Sequence, residues 1–330
     1  MVKVGVIGAG KWGLNHIKSL KKINCEFVGI SDKDHSKKEI AEEYKIKFFP
    51  DYADLLKEVD AVTVATPTDL HYKTVKDCIN AGVNVLVEKP ITSNTKESEE
   101  LVKLAKRKKL ILSVGYLFRF NNSIKKLKQL LEKVGEIQYI TCRYIHSTKP
   151  PRKDSGAIIN LGIHPVDIIN FITDKKPVSV YAKKKNLLSN KFEDSAIITL
   201  DYKDFFATIE VSCTHPEKRR DIWIIAEKEK IYVDYFNQTI TRYPLVVTYE
   251  NIDRKEPIEE KIMPNESLKD ELEYFLNLVR NKKNNDLINI GKENYYTTRA
   301  SELAIESAEK GKEMTIKWIK LQILQKYLKM

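Results

Sequence analysis

The chain has 330 residues, 42% hydrophobic and 31% charged, which suggests two domains with sizeable cores and excludes global disorder. Its net charge of +11 is spread among interleaved Glu and Asp, and the basic clusters at 106–109 and 183–185 are short. That pattern reads as a lysine-rich solvated surface, and no nucleic-acid partner is expected. No apolar run is long enough to span a bilayer, and the residues after Met1 read as a strand and not as a signal peptide, so a cytoplasmic protein without a membrane partner is expected.

Residues 2–7 are nearly all apolar, as a strand covered on both faces requires. Gly8-Ala9-Gly10-Lys11-Trp12-Gly13 follows, and then Leu14, Ile17 and Leu20 recur at helical spacing. A second strand at 25–30 ends in Ser31-Asp32, and a helix near 34–44 leads to a short strand at 47–49. A helix near 52–57 precedes a strand at 61–65, closed by Thr66-Pro67. The next helix, 71–81, stops at Gly82, and a fifth strand at 83–87 runs into Glu88-Lys89-Pro90. A helix over 93–109 and a strand at 110–114, ending in Gly115-Tyr116, complete the series. This alternation predicts a parallel, doubly wound sheet: a Rossmann dinucleotide-binding domain over residues 1–120.

The glycine loop has the context that G-x-G-x-x-G needs: a strand before it, a helix after it, and an acid about twenty residues on. Gly8 permits the tight turn, Gly10 lets the backbone approach a pyrophosphate, and Gly13 lets helix and strand pack closely. With Lys11 and Trp12 they form the candidate phosphate cradle, where helix amides meet the anion. Asp32 would accept the ribose hydroxyls, which favours NAD, and Lys33 beside it leaves NADP open. In open parallel sheets ligands bind beyond the carboxyl ends of the strands. A lysine fixed there by Pro90 lies beside the cofactor, able to move a proton while a hydride moves. A charged turn is the bland alternative.

The second half, residues 121–330, reads as a second domain, a mostly antiparallel sheet with helices. A helix runs to about residue 133, Gly135 ends it, and 137–146 alternates as a strand. Residues 147–155 are a polar loop, and 157–171 is a helix expected beneath the cofactor. Strand signals follow at 178–184, 195–201, 205–213, 222–226, 230–235 and 239–243, without crossover helices. They predict an open, mostly antiparallel sheet, and hence an α/β protein overall. Helices at 267–282 and 291–310 precede an amphipathic basic tail at about 313–330, which could form an extra helix. The four cysteines lie far apart and read as reduced thiols.

The glycine loop, Ala65-Thr66-Pro67 with His71, Glu88-Lys89-Pro90, and Gly162-Ile163-His164-Pro165-Val166-Asp167 occur in an order that resembles the Gfo/Idh/MocA oxidoreductases. The resemblance extends to about residue 312 and implies NAD(P)-linked oxidation of sugars, cyclitols and related polyols. It implies that Thr66, Pro67 and His71 line the nicotinamide side of the cofactor, with Glu88 at the nicotinamide end. Lys89 is implied as the catalytic lysine, and His164 as the group exchanging a proton with the reacting oxygen. A homodimer or homotetramer is implied through the open sheet, and no metal. Read singly, Lys89 could be a solvated turn residue, and His164 a helix histidine or half of an H-x-x-D metal site.

Many members carry aspartate four residues before the histidine, where this chain has Asn160. Asparagine cannot act as a base, though it can hydrogen-bond a sugar hydroxyl, so Lys89 and His164 are expected to act as a pair. Residues 115–121 and the Pro150-Pro151-Arg152 loop are similar to archaeal members acting on nucleotide sugars, with UDP-N-acetylglucosamine 3-dehydrogenase as the nearest activity. Tyr116, Arg119, Arg152 and Asn160 are then expected at the substrate, and Arg119, Lys149, Arg152 and Lys153 could offer charge to a diphosphate. A free-sugar or inositol dehydrogenase is the alternative enzyme, and a non-catalytic NAD-binding regulator the alternative of another class.

Overall fold

Six parallel strands build the first sheet: β1 (Lys3–Ile7), β2 (Glu26–Ser31), β3 (Lys47–Phe49), β4 (Ala61–Val64), β5 (Asn84–Glu88) and β6 (Leu112–Gly115), in the order β3-β2-β1-β4-β5-β6. The connecting helices are α1 (Lys11–Leu20), α2 (Lys38–Glu43), α3 (Tyr52–Leu55), α4 (Thr68–Asn80) and α5 (Thr95–Lys108). The strand order reverses between β1 and β4, which opens a crevice at their carboxyl ends. The structure is a computed structural model that describes residues 1–147, 155–281 and 291–318.

The second sheet comprises β7 (Ile137–Ile145), β8 (Ser179–Lys185), β9 (Ser195–Asp201), β10 (Phe206–Ser212), β11 (Arg219–Ala226), β12 (Glu229–Asp234), β13 (Thr239–Val247), β14 (Ile252–Arg254), β15 (Ile258–Glu259) and β16 (Met314–Thr315). Its path is β14-β13-β12-β11-β7-β10-β9-β8-β16, with β15 alongside β13. Among the described residues of this sheet, only β7 and β10 pair in parallel. One face is buried: Ile140 and Cys142 of β7 and Ile222 and Ile224 of β11 point into the core. The helices α6 (Asn122–Leu131), α7 (Ile163–Thr173) and α9 (Gly291–Lys310) supply its other side. The opposite face is open, and Tyr139 stacks there on Phe206 at 5.5 Å.

The helix α8 (Ser267–Asn281) crosses back to the first sheet, where Leu272, Phe275 and Leu276 join a core with Val4, Val6 and Ile17. The tail departs from the expected helix at its start. Met314 and Thr315 pair with Val180 and Ser179 as an edge strand, and the Trp318 indole donates to the Pro177 carbonyl at 3.0 Å. The rest of that tail, and Lys149, Arg152 and Lys153, lie outside the described residues. Among the described residues no helix is long and apolar enough to cross a membrane.

Candidate active site

The glycine loop sits at the switch point. Gly8 has φ +91°, and a Cβ there would meet the Ala65 carbonyl carbon at 2.8 Å. A Cβ on Gly13 would stand 1.8 Å from the Gly8 carbonyl oxygen, so α1 and β1 touch as closely as backbones can. Gly10 faces open space, with nothing within 4 Å of the place a Cβ would take. It caps α1 without a side-chain hydrogen bond, and Lys11 and Trp12 begin the helix. Open space before a helix end that no side chain caps is what a pyrophosphate requires. Asp32 faces this loop: its carboxylate accepts the Ala9 N–H at 2.7 Å and the Asp34 N–H at 2.9 Å. These residues fit a dinucleotide.

The turns after β4 and β5 are tied together by His71. Its ring nitrogens lie 2.8 Å from the Pro90 carbonyl and 2.9 Å from the Thr66 carbonyl. His71 is buried among these contacts and shapes both turns. Pro67 caps α4, and the buried Thr66 hydroxyl has no hydrogen-bond partner among the described residues. Glu88 is engaged by a residue that no sequence motif singles out: His16 Nε2 lies 3.0 Å from its carboxylate. Burial works against the Glu88 charge, but His16, Lys89 and His71 outweigh it and hold the pKa below the ordinary carboxylate value. Glu271 of α8 is a second buried carboxyl, with neither oxygen hydrogen-bonded among the described residues. Burial first, then the charges of Glu88 and Asp167, push its pKa well up, so it is a neutral acid.

Lys89 is 4% exposed and follows β5 at a cis Lys89–Pro90 bond. Its Nζ donates to the Asn160 carbonyl at 2.7 Å. That carbonyl lies in a π-helical turn, Ile158–Gly162, which opens α7, and the Ile163 N–H reaches back five residues to Ile158. Pro165 has no N–H for the carbonyl four residues before it, so the regular α-helical hydrogen-bond ladder is interrupted at this point. π-turns of this kind recur at functional sites. Asn160 thus meets Lys89 through its backbone, and its half-buried side chain makes no hydrogen bond among the described residues.

His164 lies one turn beyond Asn160 and is 4% exposed. Phe118 meets its ring edge-on at 5.0 Å and Tyr144 stacks near it at 5.8 Å. Burial, then the positive charges of Lys89 and Arg220, push its pKa well below the usual histidine value. The imidazole is therefore a neutral acceptor.

Two residues expected at the substrate are buried and engaged within the protein. Arg119 is 2% exposed and forks onto Asp167, with Nε–Oδ2 at 2.9 Å and Nη2–Oδ1 at 2.5 Å. Its charge serves a buried ion pair and is not offered to a diphosphate. The same pair occupies the carboxylate that an H-x-x-D metal site would use. The Tyr116 hydroxyl donates to Asn294 of α9 at 2.7 Å in the protein interior. An apolar ring beside a charged fork favours burial, and both residues stitch α7 and α9 to the end of the first sheet.

Residues 2–116 match the oxidoreductase family with NAD-binding Rossmann fold, and residues 124–232 match the GFO/IDH/MocA C-terminal domain. Fold and matches together define an NAD-binding oxidoreductase. UDP-N-acetylglucosamine 3-dehydrogenase of Acidithiobacillus ferrooxidans is 30% identical over 244 residues, covering 73% of this chain and 77% of that protein. The chain belongs to the Gfo/Idh/MocA oxidoreductase family. A solved structure of that Acidithiobacillus enzyme aligns with TM-score 0.84 at 26% identity, covering 94% of this chain and 98% of the other. Myo-inositol 2-dehydrogenase of Thermotoga maritima is 26% identical, covering 77% of this chain and 80% of its own.

Proposed function

We propose that this oxidoreductase acts on a nucleotide sugar, oxidising a ring secondary hydroxyl, with the 3-hydroxyl of UDP-N-acetylglucosamine as the assigned position. The observation that carries the reading is that Lys89, just past the end of β5, donates to the Asn160 carbonyl in the turn that opens α7, the helix bearing His164, whose ring feels the Lys89 charge. The likeness to the Acidithiobacillus enzyme supports the substrate. The Thermotoga relative supports an inositol as the second reading.

Bound NAD supplies the acceptor for the hydride leaving the carbinol carbon. His164, neutral, takes the hydroxyl proton on a ring nitrogen. Lys89 donates from Nζ to the reacting oxygen and steadies the negative charge that grows there. Phe118 and Tyr144 keep water from the imidazole. The side-chain amide of Asn160 faces a neighbouring sugar hydroxyl. Gly8, Gly10, Lys11, Trp12 and Gly13 hold the pyrophosphate, and Asp32 the ribose. The open sheet face, with Ile197, Phe206 and Trp223, supports a homo-oligomer. Four free thiols support assignment to the cytoplasm.

A substrate panel of UDP-N-acetylglucosamine, N-acetylglucosamine, glucose and myo-inositol, read by NADH absorbance and by extraction of bound nucleotide, tests the assignment. Turnover of the nucleotide sugar above the free sugars is expected. Turnover of myo-inositol alone would replace it with the second reading.

A further inference from the structure

The buried face of β11 carries Arg220, Ile222, Ile224 and Ala226 in alternation, and Arg220 pairs in register with Tyr144 of β7. A guanidinium therefore stands where the pattern demands an apolar side chain. Neighbouring arginines of this sheet each hold a carboxylate: Arg143 with Asp221 at 2.6 Å, Arg219 with Glu217 at 3.1 Å, and Arg242 with Glu229 at 2.5 Å. Among the described residues no carboxylate lies within ion-pair distance of Arg220, and its Nε is shut from solvent without a hydrogen bond. A cation partly withdrawn from water without an anion is costly, which marks a place where an anion is expected to arrive.

The guanidinium carbon lies 4.5 Å from the Tyr144 ring, 5.3 Å from Phe236 and 5.9 Å from Phe118. Tyr144 and Phe118 are the rings against His164, so Arg220 is one side chain away from the proposed reaction centre. On the outer side Phe236 is 46% exposed in the turn after β12, and the Lys218 Nζ lies 3.8 Å from its ring centroid. Phe118, Arg220, Phe236, Gln238 and Lys269 border a groove of about 280 Å³ there. Glu266 also borders it, with its charge paired to Lys22 at 2.6 Å.

We infer that Arg220, Lys218 and Phe236 form the subsite for the nucleoside diphosphate part of the substrate. The forked guanidinium and the Lys218 ammonium take phosphate oxygens, and the planar base lies on the Phe236 ring. This deepens the nucleotide-sugar reading and rests on it.

Calorimetric titration of UDP alone into the NAD-saturated protein, repeated with Arg220→Met, Lys218→Ala and Phe236→Ala, tests the inference. UDP is expected to bind the wild type. Arg220→Met should weaken it at least about tenfold and the two surface variants about fivefold, while NAD affinity reports intact folding. Equal UDP binding by the wild type and Phe236→Ala, Lys218→Ala and any folded Arg220→Met protein would overturn the subsite even if UDP-N-acetylglucosamine is turned over. Absence of UDP binding by a wild type that oxidises myo-inositol would overturn the nucleotide-sugar reading, and the subsite with it.

Discussion

At the carboxyl ends of β1 and β4 the chain presents backbone, whereas on the buried face of the second sheet it presents side chains. The first region depends on what is missing: no Cβ at Gly8 or Gly13, no side-chain cap on α1, and open space before Gly10. The second depends on groups delivered from separate elements, with His164 from α7, Tyr144 from β7, Arg220 from β11 and Phe118 from the turn after β6. A backbone cradle tolerates sequence change wherever side chains point away. A side-chain site fails when any one contributor is lost, and it can be retuned for a new substrate one residue at a time.

The two inward-facing arginines sharpen this contrast most strongly. Arg119→Met removes one partner of a buried ion pair and should destabilise by about 3–5 kcal/mol in denaturant unfolding. Arg220→Met removes no ion pair, so its unfolding midpoint should stay close to the wild type. Similar losses in both would break the distinction. Next in size, Gly13→Ala places a methyl against the Gly8 carbonyl and should cost about 1–3 kcal/mol while loosening NAD. Unchanged NAD affinity in a titration would show that the cradle does not depend on that contact.

The smallest effect concerns Glu271, buried between the two regions. Its folded pKa is raised, so its contribution to stability is complete below the ordinary glutamate pKa and is lost as pH climbs towards the folded value. Glu271→Gln keeps the shape of the neutral acid. It should flatten this decline and raise Tm at pH 8, by about 1–2 °C per kcal/mol at this size, with little change at pH 4. An equal shift at both pH values would mean that Glu271 is not a neutral buried acid.

Much of the first region was legible in the sequence, because its parts lie within one loop and its signal is local spacing. The six parallel strands follow from apolar runs alternating with helices, and the Gly8, Gly10 and Gly13 geometry follows from their intervals. The second region was legible as a fold class, and within it only His164 was expected at the reaction, through the family resemblance. Arg119 and Tyr116 looked like substrate residues because a loop position says nothing of burial, and partners Asp167 and Asn294 come from distant helices. The tail was expected to be helical, but edge pairing to β8 set the conformation of its first residues. Three missed residues share one signal, a polar group inside an apolar stripe. His16 lies between Gly13 and Leu20 on the buried side of α1, Glu271 beside Leu272 and Phe275, and Arg220 in alternation with Ile222. A polar residue that breaks a buried period is a site candidate legible from sequence.

The most direct test of the account is the turnover of Lys89→Met and His164→Ala with UDP-N-acetylglucosamine, alongside their NAD affinity. A fall in kcat of about 10²–10⁴-fold in each, with NAD binding kept, is the predicted result. Near-normal turnover in both variants would contradict the assignment of Lys89 and His164 as the reaction centre.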